Sequence, residues 1–387
     1  MSTGDASYIR VLNRRLLIEQ IIEKGEISRI ELSRLTGLNR STVSAQVNRM
    51  LEEGLIVEKP SDVSNGGRKP ILIRMNAESG FTLGIDIDAP VTLVQVTDLL
   101  GKPIQTYHLQ SCSSNQETMD NILHEIDHII ETHSSQFTPH QLVGIGLGVH
   151  GIVDNEHKVV FTPKQSWAAP DIKQQMEDRY DVPVYIDNNA NLSVYAEQVL
   201  QHPSENLLCV TMYSGIGLGI LEDNTINRGT RGFAGEIGHM IVQRNGLPCP
   251  CGNKGCWERY ASEKSLKRKV SALGIEDVNL NELKIEDLEE EYREAIDEYV
   301  DYVAVGLNNV INIFNPQTVI VNSEFIHHHP LLLKQVEERL TSRINDYEQL
   351  VSSSLGRQAC SLGGAMIVLK DYYEVKTLDF SGYGYQY

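Results

Sequence analysis

His239, Cys249, Cys251 and Cys256 are the residues of this chain most suited to chemistry. The segment Gly-Glu-Ile-Gly-His (235–239) is followed, after a short loop, by Cys-Pro-Cys-Gly-Asn-Lys-Gly-Cys-Trp-Glu (249–258). One imidazole and three thiolates suit a tetrahedral Zn²⁺ site. Such a set leaves no open position for water, so the expected site is structural. It would staple a loop that has too little apolar content to hold itself. Three cysteines within eight residues, with glycine and proline between them, suit a chelating loop. A disulfide is the weaker rival, because nothing else in the chain suggests secretion. Cys112, Cys209 and Cys360 are isolated and read as ordinary buried thiols. Glu236 and Glu258 flank the ligands, and a pinned loop presents two carboxylates to a polar ligand.

The pattern of His, a gap, then C-x-C-G-x-x-G-C-x-E resembles the zinc signature of the ROK family of sugar kinases and sugar-responsive repressors. The resemblance covers nearly the whole chain, and the remaining elements can be weighed against it.

The chain has 387 residues, enough for two or three domains with substantial cores. No apolar run approaches the length of a membrane span, and the polar N-terminus lacks a signal-peptide core. Together with the thiol-rich site, this leads us to expect a cytoplasmic protein. The net charge of −18 is unevenly spread. Residues 1–76 carry 12 basic and 9 acidic side chains, a net +3, and the remainder carries 22 and 43, a net −21. A mildly basic head on an acidic body suits a small DNA-binding module.

The head reads as a winged helix-turn-helix over 1–76. Residues 8–24 suit a helix with Ile9, Leu12, Leu16, Leu17 and Ile21 on one face, ended by Gly25. Ser28 and Glu31 form a capping-box pattern for a second helix. After the turn Thr36-Gly37-Leu38-Asn39, a third helix starts near Arg40 and turns Val43, Val47, Met50 and Leu51 inward. This pair is the helix-turn-helix pattern, whose second helix enters the major groove by its N-terminal end. The expected outward side chains are Arg40, Ser41, Thr42, Ser44, Gln46 and Arg49, hydroxyls and long donors suited to phosphates and base edges. Strands at 55–58 and 71–73 suggest a β-wing. Between them, the Gly-Gly-Arg-x-Pro segment is similar to the wing of ROK repressors, with Arg68 and Lys69 able to reach a groove or phosphates.

The body, 77–387, alternates strands in threes with helices, an α/β pattern. Expected helices fall at 117–134, 170–180, from about 190, 291–314, 330–343 and 361–374, with a glycine-rich buried strand at 142–149. The ROK resemblance implies two lobes of actin-like topology with a sugar cleft between them. ROK kinases carry Asp-x-Gly-Gly-Thr as a phosphate loop, where this chain has Asp86-Ile87-Asp88-Ala89-Pro90. Asp88 repels phosphate and Pro90 has no N–H to donate. The family's catalytic Asp, in Glu-Asn-Asp-Ala-Asn, is replaced by Asn189 within Asp187-Asn188-Asn189-Ala190-Asn191. An amide cannot accept a hydroxyl proton at neutral pH, so no enzyme activity is expected.

The resemblance implies sugar contacts from Asn188, Asn189, Glu236, His239 and Glu258, with backbone near Gly151. His239 would bind zinc through one ring nitrogen and sugar through the other. Two departures from the family lie near this site: His150 before Gly151, and Lys164 after Pro163. Trp167 either stacks on sugar or packs nearby. Further stretches are similar to the xylose-responsive repressors that Gram-positive bacteria use within this family. They include 27–29, 38–44, 161–167, 256–263 and 353–356. The resemblance implies a homodimeric repressor of xylose-utilisation genes, with D-xylose as effector and a palindromic operator as partner. The rivals are an effector that is another sugar, a phosphosugar (which Lys164 could meet) or a protein, and an active sugar kinase. The tail from 377 has no reading in sequence terms.

Overall fold

Local signals start and stop the head's helices. In the computed structural model, which describes residues 6–61, 70–88, 90–112, 114–162, 172–274 and 278–385, α1 (Ala6–Lys24) ends at Gly25 with φ +70°. That left-handed backbone favours glycine. Ser28 caps α2 (Arg29–Thr36) by accepting the Glu31 N–H at 3.2 Å. Asn39 caps α3 (Arg40–Glu52) by accepting the Thr42 N–H at 2.8 Å. Strands β1 (Ile27–Ser28), β2 (Ile56–Pro60) and β3 (Ile71–Met75) form an antiparallel sheet in the order β1-β3-β2.

The buried face of α1 differs from the expected one. Leu17, Ile18, Ile21 and Ile22 are buried, whereas Ile9 and Leu16 are exposed. The helix is gripped on two sides, by the rest of the head and by the chain's own C-terminal tail.

The first lobe contains β4 (Gly80–Ile87), β5 (Val91–Asp98), β6 (Pro103–Gln110), α4 (Asn115–His133), β7 (Gln141–Val149), the small hairpin β8 (Ile152–Val153) and β9 (Val159–Phe161), α5 (Ile172–Tyr180) and β10 (Val184–Asn188). Helix α6 (Asn189–Leu200) leads to the second lobe. That lobe holds β11 (Leu207–Thr211), β12 (Gly217–Glu222), β13 (Thr225–Ile226), α7 (Glu258–Ala261), α8 (Glu263–Ala272) and α9 (Glu290–Phe314). It continues through β14 (Thr318–Asn322), α10 (Glu324–His328), α11 (Pro330–Arg339) and β15 (Gln349–Ser352). Helix α12 (Ala359–Tyr372) then packs back on the first lobe.

The two five-stranded sheets share one plan. Their orders are β10-β7-β4-β5-β6 and β13-β12-β11-β14-β15, each with two parallel and two antiparallel pairings. Helix α12 lies along α6 and across β4 and β7. Glycine in those strands permits this approach. A Cβ at Gly84 would sit 1.7 Å from the Ser361 carbonyl oxygen, and one at Gly146 would sit 2.0 Å from that of Gly364.

The tail after α12 acquires a role. Leu378 and Phe380 are buried in the same apolar cluster as Leu17, Ile21, Met50 and Leu369. Head and first lobe therefore share one core rather than meeting at a linker. Among the described residues, no helix is long and apolar enough to cross a membrane.

Candidate functional site

The metal-ligating candidates converge. One ligand atom from each of His239, Cys249, Cys251 and Cys256 lies within 4.8 Å of all the others. Cys251 Sγ is 3.6 Å from Cys256 Sγ, and Cys249 Sγ is 3.6 Å from His239 Nδ1. Sulfurs each about 2.3 Å from a tetrahedral ion stand roughly 3.7 Å apart, so the spacing fits a bound metal ion. A disulfide would need about 2.05 Å, and all six cysteines are free thiols. The cluster could therefore hold a metal through one nitrogen and three sulfurs.

The loop is shaped by its backbone and pinned by its neighbour. Gly252 and Gly255 take φ of +99° and +83°, which turn the chain back on itself. Trp257 is fully buried, donates from its indole N–H to the Tyr302 carbonyl at 2.6 Å, and lies against Gly306 of α9. A Cβ at Gly306 would fall 1.9 Å from the indole ring.

Two carboxylates lie against this cluster. Glu258 Oε1 is 3.8 Å from His239 Nδ1 and accepts from Cys249 Sγ at 3.3 Å. Glu236 Oε2 lies 3.9 Å from His239 Nε2, the nitrogen opposite the thiols. One imidazole thus faces metal ligands on one edge and a carboxylate on the other. The Glu236 side chain is partly exposed. Burial raises its pKa, His239 opposes this, and the nearby Glu258 adds to it.

From the first lobe, Asn188 donates from Nδ2 to the Gly151 carbonyl at 2.6 Å and caps α6 by accepting the Ala190 N–H at 2.8 Å. Most of its hydrogen-bonding capacity therefore positions the turn and the helix. Asn189 opens α6 and lines an inter-lobe cavity of about 620 Å³. The structure brings Gly151 together with Asn188, and Glu236 together with His239 and Glu258. The loop before β12 links the two groups: Glu258 reaches Gly215, and Gly217 packs on Ala190.

Sequence reasoning missed Arg228. Its guanidinium donates through Nε and a terminal nitrogen to Asp187 Oδ2, at 2.8 and 2.5 Å. Asp187 is buried and also accepts from Asn191 Nδ2. This ties a loop of the second lobe to the start of α6. An isolated Arg in a loop carries no signal in sequence; only its distant partner defines it.

The turn from β4 into β5 is acidic. Asp86 and Asp88 line the inter-lobe cavity, where His150 Nε2 stands 3.4 Å from Asp86 Oδ1 and 3.5 Å from Asp88 Oδ2. Pro90 forms part of the same wall. Lys164 and Trp167 lie outside the described residues.

In the head, α3 exposes Arg40, Ser41, Ala45, Asn48 and Arg49, with Thr42 and Ser44 half-buried. Gln46 does not belong to this face. It is buried and donates from Nε2 to the Arg10 carbonyl at 3.0 Å, so the expectation that it points outward is corrected. Val43, Gln46, Val47 and Met50 form the helix's inward stripe at three- and four-residue spacing, which leaves Gln46 no path to a groove. Asn48, not expected at this surface, accepts from Arg29 at 2.9 Å. Arg68 and Lys69 of the wing lie outside the described residues.

Residues 82–371 match the ROK family, and residues 12–57 match the winged helix-turn-helix DNA-binding family. This chain belongs to the ROK family. It is 38 % identical to the xylose repressor of Bacillus subtilis over 98 % of this chain and all of that one. The fold is similar to a ROK family transcriptional regulator described as a homologue of the Escherichia coli MLC protein, with a TM-score of 0.81 at 22 % identity, covering 95 % of this chain and 97 % of that one. It is also similar to a ROK glucokinase from Streptomyces griseus, solved with glucose and AMPPNP, with a TM-score of 0.63 at 25 % identity. That likeness covers 74 % of this chain and 99 % of the kinase. The chain is a DNA-binding repressor built on a ROK body, a scaffold it shares with kinases.

Proposed function

We propose that this protein represses xylose-utilisation genes as a homodimer on a palindromic operator and is released when D-xylose binds between its lobes. The continuity of structure from cleft to head carries this reading. Helix α6 begins at Asn189 in the cleft, packs along α12, and the tail after α12 is buried against α1 of the DNA-binding head. A sugar that favours one lobe arrangement can thereby bias the recognition helix. It must bind the DNA-incompetent state more tightly, since only differential affinity shifts the balance. A tenfold loss of operator affinity needs about 1.4 kcal/mol of coupling.

Gly151, Asn188, Asn189, Glu236, His239 and Glu258 form the sugar site in this reading. Arg40, Ser41, Thr42, Ser44 and Arg49, with Arg68 and Lys69 of the wing, form the DNA surface. The metal is Zn²⁺, held structurally by His239, Cys249, Cys251 and Cys256. It fixes the loop that orients both carboxylates and takes no part in any reaction. Asn189 in place of a base, and the acidic wall at Asp86 and Asp88, argue against phosphoryl transfer. The head comprises 1–76 and the body 77–387, and the reduced thiol cluster with a DNA partner suits the cytoplasm.

Calorimetric titration of the zinc-loaded protein with D-xylose, D-glucose and N-acetylglucosamine 6-phosphate tests the effector, followed by operator release with the sugar that binds. Saturable xylose binding and xylose-dependent release support the reading. Binding of another ligand alone keeps the regulator and removes xylose.

A further inference from the structure

The loop 228–235 of the second lobe is built as a closed finger. Both of its ends are held on β12: the Asn227 N–H donates to the Ile220 carbonyl at 2.8 Å, and the Leu218 N–H donates to that of Gly235 at 3.0 Å. Its neck is closed by the Ala234 N–H, which donates to the Arg228 carbonyl at 3.2 Å. Glu236 follows the finger directly, and His239 comes three residues later. The first lobe offers a seat in the hairpin β8–β9. Asp154 Oδ1 accepts the Glu156 and Lys158 N–H groups at 2.9 and 3.0 Å, which fixes the turn. His157 Nδ1 lies 2.9 Å from the Ile186 carbonyl oxygen, which ties the turn to β10. The hairpin starts next to Gly151, whose carbonyl holds Asn188.

Finger and first lobe touch at three points of different strength. Arg228 is paired with Asp187, which is buried; parting them would leave a buried charge alone, so this end stays joined. Gly232 rests on the hairpin backbone so closely that a Cβ there would fall 1.8 Å from the Val153 carbonyl oxygen. Asn155 donates from Nδ2 to the carbonyls of both Gly229 and Thr230, each at 3.1 Å. Asn155 is exposed, so water replaces both bonds when the surfaces separate. The contact has a fixed end and a releasable end.

The geometry points to Asn155 and Gly232 as positioning residues for the effector: they clasp the finger to the hairpin in the sugar-bound arrangement and release it in the operator-bound one. The clasp acts through Glu236 and His239 on one side and through Gly151 and Asn188 on the other, so neither residue needs to touch the sugar. A sugar that bridges the two halves holds the finger on its seat, and the closed clasp keeps the halves in range of the sugar. Each favours the other by the same factor. This inference rests on the reading that the effector binds between the lobes and selects one arrangement of them.

Calorimetry with D-xylose, D-glucose and N-acetylglucosamine 6-phosphate, paired with operator binding in their absence, tests the clasp in Asn155→Ala, Asn155→Asp and Gly232→Ala. Asn155→Ala should weaken binding of whichever ligand the wild type takes by roughly threefold or more, with ligand-free operator affinity equal to wild type or tighter. Asn155→Asp should weaken it further, because a carboxylate then faces two carbonyl oxygens. Asp serves a turn as well as Asn does, so a role confined to shaping the turn would leave Asn155→Asp at wild-type affinity and overturn the proposal. Gly232→Ala should act in the same direction as Asn155→Ala, its methyl lifting the finger from the hairpin. If melting curves show Gly232→Ala misfolded, the two Asn155 variants carry the test. Ligand and operator binding weakened together in Asn155→Ala also overturns the proposal. A wild type that binds none of the three ligands overturns the effector reading and the clasp with it, whereas a responsive wild type matched by its variants overturns the clasp alone.

Discussion

The hydroxyl of Tyr383, four residues from the end of the sequence, donates to the carbonyl of Ile22 in the first helix at 3.0 Å. Nearby, the Lys376 N–H donates to the Glu19 carboxylate at 3.2 Å. The tail thus closes over α1 with Leu378 and Phe380 beneath it. On the other side of the head, His140 Nε2 lies 2.8 Å from the Glu53 carbonyl oxygen. Tyr383→Phe should lower stability by about 1 kcal/mol, the worth of one hydrogen bond, and leave sugar binding unchanged. Chemical denaturation reads the first effect and calorimetry the second. Phe380→Ala should cost about 3–5 kcal/mol by leaving a cavity between head and body.

Arg40 and Gln46 both lie on α3 but should fail differently. Arg40→Ala should weaken operator binding tenfold or more, by about 1–3 kcal/mol, with sugar binding intact. Gln46→Ala removes a buried donor and its bond to the Arg10 carbonyl, and should act through head stability instead. Binding to operator and to scrambled DNA, paired with melting curves, separates the two. Loss of sugar binding in Arg40→Ala would contradict the division of labour.

Cys251 is the exposed member of the metal cluster, so its replacement perturbs packing least. Cys251→Ser should reduce the bound metal from about one ion per chain to a small fraction, as read by elemental analysis. Metal content equal to wild type would remove Cys251 from the ligand set. Chelation of the wild type should weaken sugar binding as well, because the same loop carries Glu236 and Glu258.

Glu236→Gln keeps the shape of the side chain but loses its charge. It should bind operator normally and respond to sugar at concentrations at least tenfold higher. An operator-release curve superimposable on wild type would exclude Glu236 from the sugar site.

Glu197 of α6 is buried and accepts from the Ser353 hydroxyl through one oxygen, while the other has no hydrogen-bond partner among the described residues. Burial pushes its pKa up to about 7, with the Ser353 bond opposing. A carboxyl whose folded pKa exceeds its unfolded value of 4.5 binds its proton more tightly when folded. The stability it contributes is therefore complete below about pH 4.5 and is lost as pH rises through about 7, by roughly 3 kcal/mol at most. Glu197→Gln should flatten the stability profile over this window. An unchanged slope in urea denaturation between pH 5 and pH 8 would assign the dependence elsewhere.

Sequence alone determined what depends on near neighbours. Ser28 and Asn39 cap their helices within three residues, Gly25 ends α1 at its own φ, and the spacing from Cys249 to Cys256 places three thiols on one short loop. The substitution of Asn189 for a carboxylate is equally local, since proton acceptance is a property of the side chain itself. Tertiary structure decided what depends on distant partners. Gln46 turned inward because the carbonyl of Arg10 awaited it, and α1 buried Ile18 and Ile22 because a tail some 360 residues away lies over it. Arg228 gained its place from Asp187, and Asn155 finds its two carbonyls only where the lobes meet. Periodicity reports that a residue has an inward side; which surface arrives to cover that side is settled by long-range packing.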